Sequence, residues 1–278
     1  MHNGAIMSSE VRHLVEYGLA YPLVRLTGVL DASTAVTVRS VLLDVLAGQP
    51  EAVVVDVAEL EPDGAGAISV LRDLRRETSD WPAARLVLCC SHDRERWQDT
   101  GWPVWPDSAD AFAELGKPDE DGRLNMELEP QVGAARRTRE LITEACGRWN
   151  RPELAGPACI VATEMVNNVV AHARTPMVVL LATRGAGMSV AVRDSSPVVP
   201  TYTGGPVAPT AYGGRGMLLI DSVASRWGSL AVPGGKVVWA MLEGEDGDGA
   251  VVSGTGDVRH EQGRDRRRSA SMPGPAHG

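Results

Sequence analysis

Apolar and polar residues in the first half of the chain follow two patterns that alternate with each other. Short runs rich in Val and Leu have the length and composition of buried strands. Longer stretches carry apolar residues at the three- and four-residue spacing of amphipathic helices. This alternation indicates an α/β domain with a largely buried sheet. The strands are predicted over 21–28, 52–57 and 84–90, and the helices over 32–47, 64–78 and 108–115.

A second unit follows residues 115–123, a charged segment with Pro and Gly that is typical of a linker. Its pattern also mixes strands and helices, with a loop rich in Gly, Pro and Thr over 195–216. After Glu243 the composition shifts to Gly, Asp, Arg and Ser, which predicts a disordered tail over 244–278. The strands are predicted over 124–129, 177–183, 188–194 and 235–243, and the helices over 132–149, 164–173 and 215–228.

One of these helices, with the sequence EMVNNVVAHA over 164–173, carries two adjacent asparagines among valines. Each Asn costs roughly 0.5 kcal/mol against Ala in a helix interior, so the pair suggests a role outside helix stability. On a helical wheel Glu164, Asn167, Asn168 and His172 share one face, and Met and Val fill the other. A solvated face is the alternative, but this face contains no Lys or Arg. Carboxylate and amide oxygens are ligands that Mg²⁺ prefers when it also holds phosphates.

Charge and cysteine usage narrow the classes of partner and compartment. The net charge of -9 argues against direct nucleic-acid or anionic-membrane binding. The four cysteines form no CxxC pair, so a disulfide framework or zinc site is not expected, and a reducing cytoplasm fits. No apolar run approaches the length of a membrane span, and the N-terminus has no signal-peptide core, so a cytoplasmic protein without a membrane segment is expected.

Two further motifs in the second unit have binding chemistry. Asp194 ends the strand predicted over 188–194, where its carboxylate can accept a hydrogen bond from an exocyclic amine such as that of adenine. Gly213, Gly214 and Gly216 precede a helix, where backbone N–H groups can close on phosphates at the positive helix end. Each motif alone is weak, because strands often end in Asp and glycines often begin helices.

Taken together, these motifs resemble the ATP-binding fold of gyrase, sensor histidine kinases and mismatch-repair ATPases. The nearest likeness is to the bacterial anti-sigma-factor serine kinases, in the short form found in actinobacteria. The resemblance covers residues 124–243 and implies a two-layer α/β sandwich. It is carried by EMVNNVVAHA, VRDSSPVVP, YGGRGMLLIDSVASRWG and PGGKVVWAML.

The resemblance implies a role for each site residue, with ATP and Mg²⁺ as cofactors. Asn168 would hold Mg²⁺, and Glu164 would position or deprotonate the attacking hydroxyl. Asp194 would read adenine. The glycines of 213–216 would form a lid over the phosphates, where Arg215 would add positive charge.

The sequence departs from the family pattern at two places. After Asp194 the family has a glycine-rich turn, whereas this chain has Ser195, Ser196 and Pro197, which stiffen the backbone. The last strand carries Val237 where a hydroxyl that supports the nucleotide is expected. These departures affect the expected affinity for ATP more than the expected fold.

The first half, over residues 18–116, resembles the sulfate-transporter and anti-sigma-antagonist (STAS) domain. The stretches LTGVLDASTA over 26–35 and AVVVDVAELEPDGAGAISVL over 52–71 carry this likeness. Antagonists that are phosphorylated have a Ser or Thr two residues after an Asp, whereas here Asp63 is followed by Gly64 and Ala65. Ala65 has no hydroxyl, so this domain is not expected to be a substrate there; it would dock as a pseudo-substrate or serve as a structural module.

The sequence predicts an α/β protein, and the two resemblances imply two domains, 18–116 and 124–243, in a protein that binds ATP and regulates a sigma factor. Its partners would be a sigma factor or a separate antagonist carrying a Ser or Thr that it phosphorylates, and homodimerisation stays open. The main alternative is a non-catalytic partner-switching module in which ATP only selects a conformation. A sensor histidine kinase is a third interpretation, disfavoured because no phospho-acceptor helical hairpin is present.

Overall fold

The structure is a computed structural model of the chain. It describes residues 10–64, 66–79, 81, 85–198 and 215–244, and for Arg215 the backbone only. The predicted tail, except for Gly244, and the predicted loop, except for its two ends, lie outside these residues.

A five-stranded sheet forms the core of the first half. Its strands are β1 (Val11–Glu16), β2 (Leu23–Leu30), β3 (Ala52–Pro62), β4 (Arg85–Cys89) and β5 (Val104–Trp105), in that order. Only β1 runs antiparallel to its neighbour, and the other pairs are parallel. The helices are α1 (Ala35–Ala47), α2 (Ser69–Glu77), α3 (Arg94–Gln98) and α4 (Ser108–Leu115).

Both faces of this sheet are covered, as the continuous apolar run of β3 predicts. Val53 and Val55 share a core with α1 and α2, whereas Val54 packs with α4 on the other face. The period of two along the strand therefore assigns alternate side chains to the two helix layers. None of the six residues of β1 is buried and three are exposed, which is why the apolar pattern did not predict this edge strand.

The helix predicted over 64–78 begins only at Ser69. Gly64 has a positive φ of 89°, a conformation that ends the preceding extended segment and is incompatible with a helix. Ala65, the position that lacks the hydroxyl, lies outside the described residues.

The second half contains an antiparallel sheet in the order β6-β7-β8-β10-β9. Its helices α5, α6 and α7 lie on one face and share a core with alternate strand residues. The mixed α/β class predicted from the sequence is confirmed. The strands are β6 (Arg123–Leu128), β7 (Met177–Arg184), β8 (Gly187–Asp194), β9 (Arg226–Val232) and β10 (Gly235–Leu242), and the helices are α5 (Ala134–Arg148), α6 (Pro152–Asn168) and α7 (Arg215–Val223).

The prediction of a helix over 215–228 was wrong at its C-terminal end, because α7 ends at Val223 and β9 begins at Arg226. Gly228 lies against the indole of Trp239 on the neighbouring strand, where a Cβ would come within 2.8 Å of the ring. Pairing with β10 thus decides the conformation of a segment whose local pattern also suited a helix.

The Asn-bearing helix does not continue as a regular α-helix beyond Asn168. After Asn168 the chain forms a π-helical turn, Val169–Ala173, which ends at Arg174 with a φ of 56°. Such turns are rare and often lie at functional sites. The predicted division of faces holds through the α-helical part, where Met165 and Val166 are buried and Asn167 is exposed.

Helix α1 lies between the two sheets and contacts both β2 and β9. The face of the second sheet that looks away from α6 contributes Val237, Trp239 and Met241 to the same core as Leu42 of α1. All eight residues of β10 are consequently buried. The Arg193 guanidinium lies 2.6 Å from the Asp44 carboxylate of α1, so polar contacts also join the halves. Both sheets belong to one compact unit.

One helical segment, Pro152–Ala173, has the length and hydropathy of a membrane span. Val161, Ala162 and Met165 of this segment are buried in the core beneath the second sheet, whereas Ile160 is 41% exposed. A core helix passes the same test of length and composition, so one such segment is weak evidence for a membrane span.

Candidate functional site

The polar face of α6 is where the predicted catalytic and metal-binding residues stand. Glu164 and Asn168 are four residues apart, and both are half-buried. An α-helix repeats every 3.6 residues, so the two side chains lie one above the other on one face. His172, beyond the α-helical part, is exposed.

The start of α7 lies against this polar face. A Cβ placed on Gly216 would come within 2.6 Å of the Glu164 carboxylate, so a larger residue here would force the carboxylate to turn away. The Asn168 amide nitrogen lies 3.9 Å from the sulfur of Met217, the next residue of α7. The structure thus brings together Glu164, Asn168 and Gly216, from two of the three predicted motifs.

The N-terminus of α7 provides backbone N–H donors next to Glu164 and Asn168. The first N–H groups of a helix have no partner within the helix and carry partial positive charge. Because α7 begins at Arg215, these donors lie close to the carboxylate and amide of α6. Phosphate groups bind at such helix ends.

Asp194, the third predicted motif, ends β8 on the sheet face that α6 covers. Its side chain is 1% exposed, and Oδ1 accepts hydrogen bonds from Lys236 Nζ at 2.8 Å and from the Ser196 backbone N–H at 2.8 Å. Oδ2 is buried and has no hydrogen-bond partner among the described residues. A buried acceptor without a donor costs about 1–3 kcal/mol, so this oxygen has a strong preference for a ligand donor.

Sequence reasoning missed Lys236. The antiparallel register places it directly opposite Asp194, and it is 6% exposed. A single Lys at the start of the apolar strand GKVVWAML was the available signal, because a buried Lys requires an acidic partner. The pairing itself depends on which strand lies beside β8, and the sequence does not reveal that neighbour.

Val237 lies on the opposite side of the sheet from this pair. It is fully buried in the core shared with α1, and its cross-strand partner is Arg193. Side chains alternate along a strand, so a hydroxyl at this position would face α1, not the Asp194 side. Packing between the two halves therefore explains why Val237 stands where a hydroxyl was expected.

Several predicted site features cannot be placed. Gly213 and Gly214 lie outside the described residues, and of Arg215 only the backbone is described. Among the described residues, no group of three or more His, Cys, Asp or Glu side chains could hold a metal ion. A cation held by one amide oxygen and by ligand phosphates needs no such group.

The start of α7 offers donors for a phosphate, and Asp194 offers an acceptor for an amine, which are two groups that a nucleotide carries. Phosphates would lie at the start of α7, and an exocyclic amine would donate to Asp194 Oδ2. Glu164 at the phosphate end is then the acidic group available to receive a proton from an attacking hydroxyl. The donor set is thus suitable for phosphate-bearing ligands with an amino-substituted base.

Comparison with known proteins agrees with this geometry. The family described as histidine kinase-like ATPase domain matches residues 127–242. No curated protein sequence matches the chain.

Two solved structures show partial likeness to the chain. One contains the RsbU and RsbW domains of Rv1364c from Mycobacterium tuberculosis, with 17% identity, a TM-score of 0.34 and coverage of 46% of this chain. The chain spans 33% of that protein's length. The other is an anti-sigma factor antagonist from Mycobacterium paratuberculosis, with 23% identity, a TM-score of 0.33 and coverage of 38% of this chain and 94% of the other.

The family match covers all of β7, β8, β10 and α6, the elements that carry Glu164, Asn168, Asp194 and Lys236. ATP is the expected ligand of a domain of this type. Residues 127–242 of this chain are therefore similar to a histidine kinase-like ATPase domain, and an N-terminal α/β sheet precedes them.

Proposed function

We propose that this protein is a cytoplasmic ATP-binding regulator of sigma-factor partner switching, and that it phosphorylates a Ser or Thr of a separate antagonist. The observation that carries the proposal is the close approach of Gly216 to Glu164 within a histidine kinase-like ATPase domain. It leaves a helix N-terminus, a carboxylate and an amide at one place. Phosphoryl transfer depends mainly on positioning and charge neutralisation, which these groups supply.

ATP would be held at two ends. Asp194 Oδ2, buried and without a donor among the described residues, would accept from the adenine amine. At the other end the phosphates would bind at the start of α7, and Gly213, Gly214 and Arg215 would extend this cradle. Mg²⁺ would be held by Asn168 and would neutralise phosphate charge when bound.

Glu164 would act on the acceptor hydroxyl. Its carboxylate lies one helical turn from Asn168 on the same face, so a hydroxyl that approaches the terminal phosphate would come within its reach. Glu164 would receive the hydroxyl proton as the oxygen attacks phosphorus. The N-terminal half, 18–116, would serve as a docking domain of STAS type, because Ala65 has no hydroxyl to phosphorylate.

Nucleotide binding is tested by calorimetry with Mg-ATP and the full chain. Asn168→Ala should weaken binding about tenfold or more, because the cation loses a protein oxygen. Asn167→Ala is the matched control, since Asn167 is the adjacent residue and is exposed. Equal affinities of the wild type and Asn168→Ala would remove the Mg²⁺ assignment.

Catalysis is tested separately from binding. Glu164→Gln keeps the size of the side chain and removes the base, so Mg-ATP should still bind while transfer falls by roughly 10²-fold or more. The acceptors are STAS-type antagonist domains from the same organism that carry Ser or Thr at the position equivalent to Ala65. If the wild type phosphorylates none of them but binds Mg-ATP, the non-catalytic partner-switching module is the correct interpretation.

A further inference from the structure

Strand β1 forms one edge of the first sheet. It pairs with β2 on one side, and among the described residues no strand pairs with its other side. Its remaining packing is mainly against α1. None of its six residues is buried. The outer edge of β1 therefore presents backbone N–H and C=O groups that another strand can bind.

The hydrogen-bond phase of the β1–β2 pair determines which residues face this open edge. The Val29 N–H donates to the Glu10 carbonyl at 3.1 Å, in continuation of the β1–β2 register. Residues of an antiparallel pair alternate between bonded and non-bonded positions, so the even-numbered residues of β1 bond to β2. Val11, His13 and Val15 consequently direct their backbone groups to the open edge.

The side chains of β1 alternate between the two faces of the sheet. Val11 and Val15 pack against the core that contains α1, so Arg12, Leu14 and Glu16 lie on the opposite face. Leu14, in the middle of these three, is 57% exposed. The face thus carries a positive charge, an apolar group and a negative charge in sequence. Such an order is complementary to itself when two copies of the strand run antiparallel.

We propose that β1 pairs with β1 of a second copy of this chain, around a two-fold axis at Leu14. Arg12 of one protomer then lies opposite Glu16 of the partner subunit, and the two Leu14 side chains meet at the axis. In the same register His13 and Val15 exchange backbone hydrogen bonds across the interface. Opposite charges and apolar side chains placed directly across from each other stabilise antiparallel strands. The two five-stranded sheets would join into one continuous sheet.

Neighbouring registers are less favourable. Only shifts of two residues keep the edge groups of both strands in phase. One such shift places Glu10 opposite Glu16, and the shift in the other direction places Leu14 opposite Glu16. Like charges directly opposite each other are destabilising, so the sequence selects the register with Arg12 opposite Glu16. The exposed ion pairs that Arg12 and Glu16 make within one chain can rearrange at little cost.

Sedimentation velocity of the full chain without nucleotide tests this interface. Two short strands bury less than a standard interface, so the wild type should dimerise with a dissociation constant between about 1 μM and 1 mM. Leu14→Asp places two carboxylates together at the axis and should weaken the dimer about tenfold or more. Val132→Asp is the matched control, because Val132 is 100% exposed before α5. A wild type that stays monomeric at about 1 mM would overturn the proposal.

An exchange of charges tests the register. Arg12→Glu and Glu16→Arg each place like charges across the interface, so each variant alone should dimerise about fivefold or more weakly. A mixture of the two variants restores both opposite-charge pairs and should form a heterodimer as readily as the wild type forms its dimer. If the mixture stays monomeric while the wild type dimerises, the proposed pairing is wrong.

Proline distinguishes the open edge from other surfaces. The His13 N–H faces the edge, so His13→Pro removes a donor of the dimer and none of the β1–β2 ladder. The variant should lose the dimer while its denaturant unfolding stays cooperative. A dimer that survives His13→Pro would show that another surface joins the copies. A dimer that forms only after removal of residues 2–9 would show that this segment covers the edge, and either result overturns the proposal.

Discussion

Lys236 Nζ donates to Asp194 Oδ1 across 2.8 Å, and the two side chains are 8% and 1% exposed. The pair joins β10 to β8 on the side of the sheet that α6 covers. Lys236 occupies one carboxylate oxygen and leaves the other, Oδ2, without a partner among the described residues. The lysine therefore fixes which oxygen of Asp194 a ligand can use.

Removal of the lysine should be severely destabilising. Lys236→Met leaves the Asp194 carboxylate buried without its cation, which should lower the free energy of unfolding by about 3–5 kcal/mol. Denaturant unfolding measures this change. The double variant Lys236→Met with Asp194→Asn removes both charges and should recover much of the loss. A single variant as stable as the wild type would show that the pair is not buried in solution.

Gly216→Ala should displace the Glu164 carboxylate. The new Cβ would stand 2.6 Å from a carboxylate oxygen, so the flexible end of the Glu164 side chain must turn away to make room. We expect weaker Mg-ATP binding and no gain in stability, although Ala is favoured over Gly in a helix.

Gly147 provides the matched control for this substitution. It lies exposed in the last turn of α5, and a Cβ there meets nothing within 4 Å. Gly147→Ala should therefore stabilise the protein by about 0.4–1 kcal/mol and leave Mg-ATP binding unchanged. If the two alanine variants behave alike in thermal unfolding and calorimetry, the close approach of α7 to α6 is not present in solution.

The ion pair between the halves should contribute little to stability. Asp44 and Arg193 are 2.6 Å apart, but their side chains are 48% and 34% exposed. A double-mutant cycle with Asp44→Asn and Arg193→Gln should give a coupling of about 0.2–1 kcal/mol that falls as salt is added. A coupling of zero at low salt would indicate that α1 does not hold this position against β8.

The cysteines should be poorly reactive in the native protein. Burial raises the pKa of Cys89 to about 12 and the pKa of Cys146 to about 11, so neither forms thiolate near neutral pH. Burial also raises the pKa of Cys159, but this side chain is half-buried and should react first. Alkylation by iodoacetamide followed by mass spectrometry should modify all four cysteines only after unfolding.

The same thiols make stability depend on alkaline pH. A folded-state pKa above the ordinary value of 9.0 means that the folded state holds its proton more tightly. The contribution of Cys89 to the free energy of unfolding should therefore be constant below about pH 9 and should fall as the pH rises toward 12. Cys89→Ala should lessen the slope. If Cys89→Ala has the same dependence of unfolding free energy on pH as the wild type, the raised pKa of Cys89 is contradicted.

Local pattern was sufficient for most elements of the two sheets. The apolar runs that became β2, β3, β4, β7, β8 and β10 have the length of strands and each contain Val, so their type is set by sequence. The polar face of α6 was likewise visible, because two adjacent asparagines are costly in a helix. Edge strand β1 was missed, since none of its residues is buried and its sequence has little apolar periodicity.

The sequence by itself determined the alternation of strands and helices, and it identified the polar residues Glu164, Asn168 and Asp194. Both depend on composition and on spacing along the chain. Tertiary structure alone decided that β9 replaces the end of a predicted helix, that Lys236 pairs with Asp194, and that Val237 faces α1. The physical reason is that each of these depends on which strand or helix lies alongside. Cross-strand neighbours are far apart in sequence, so no local pattern contains them.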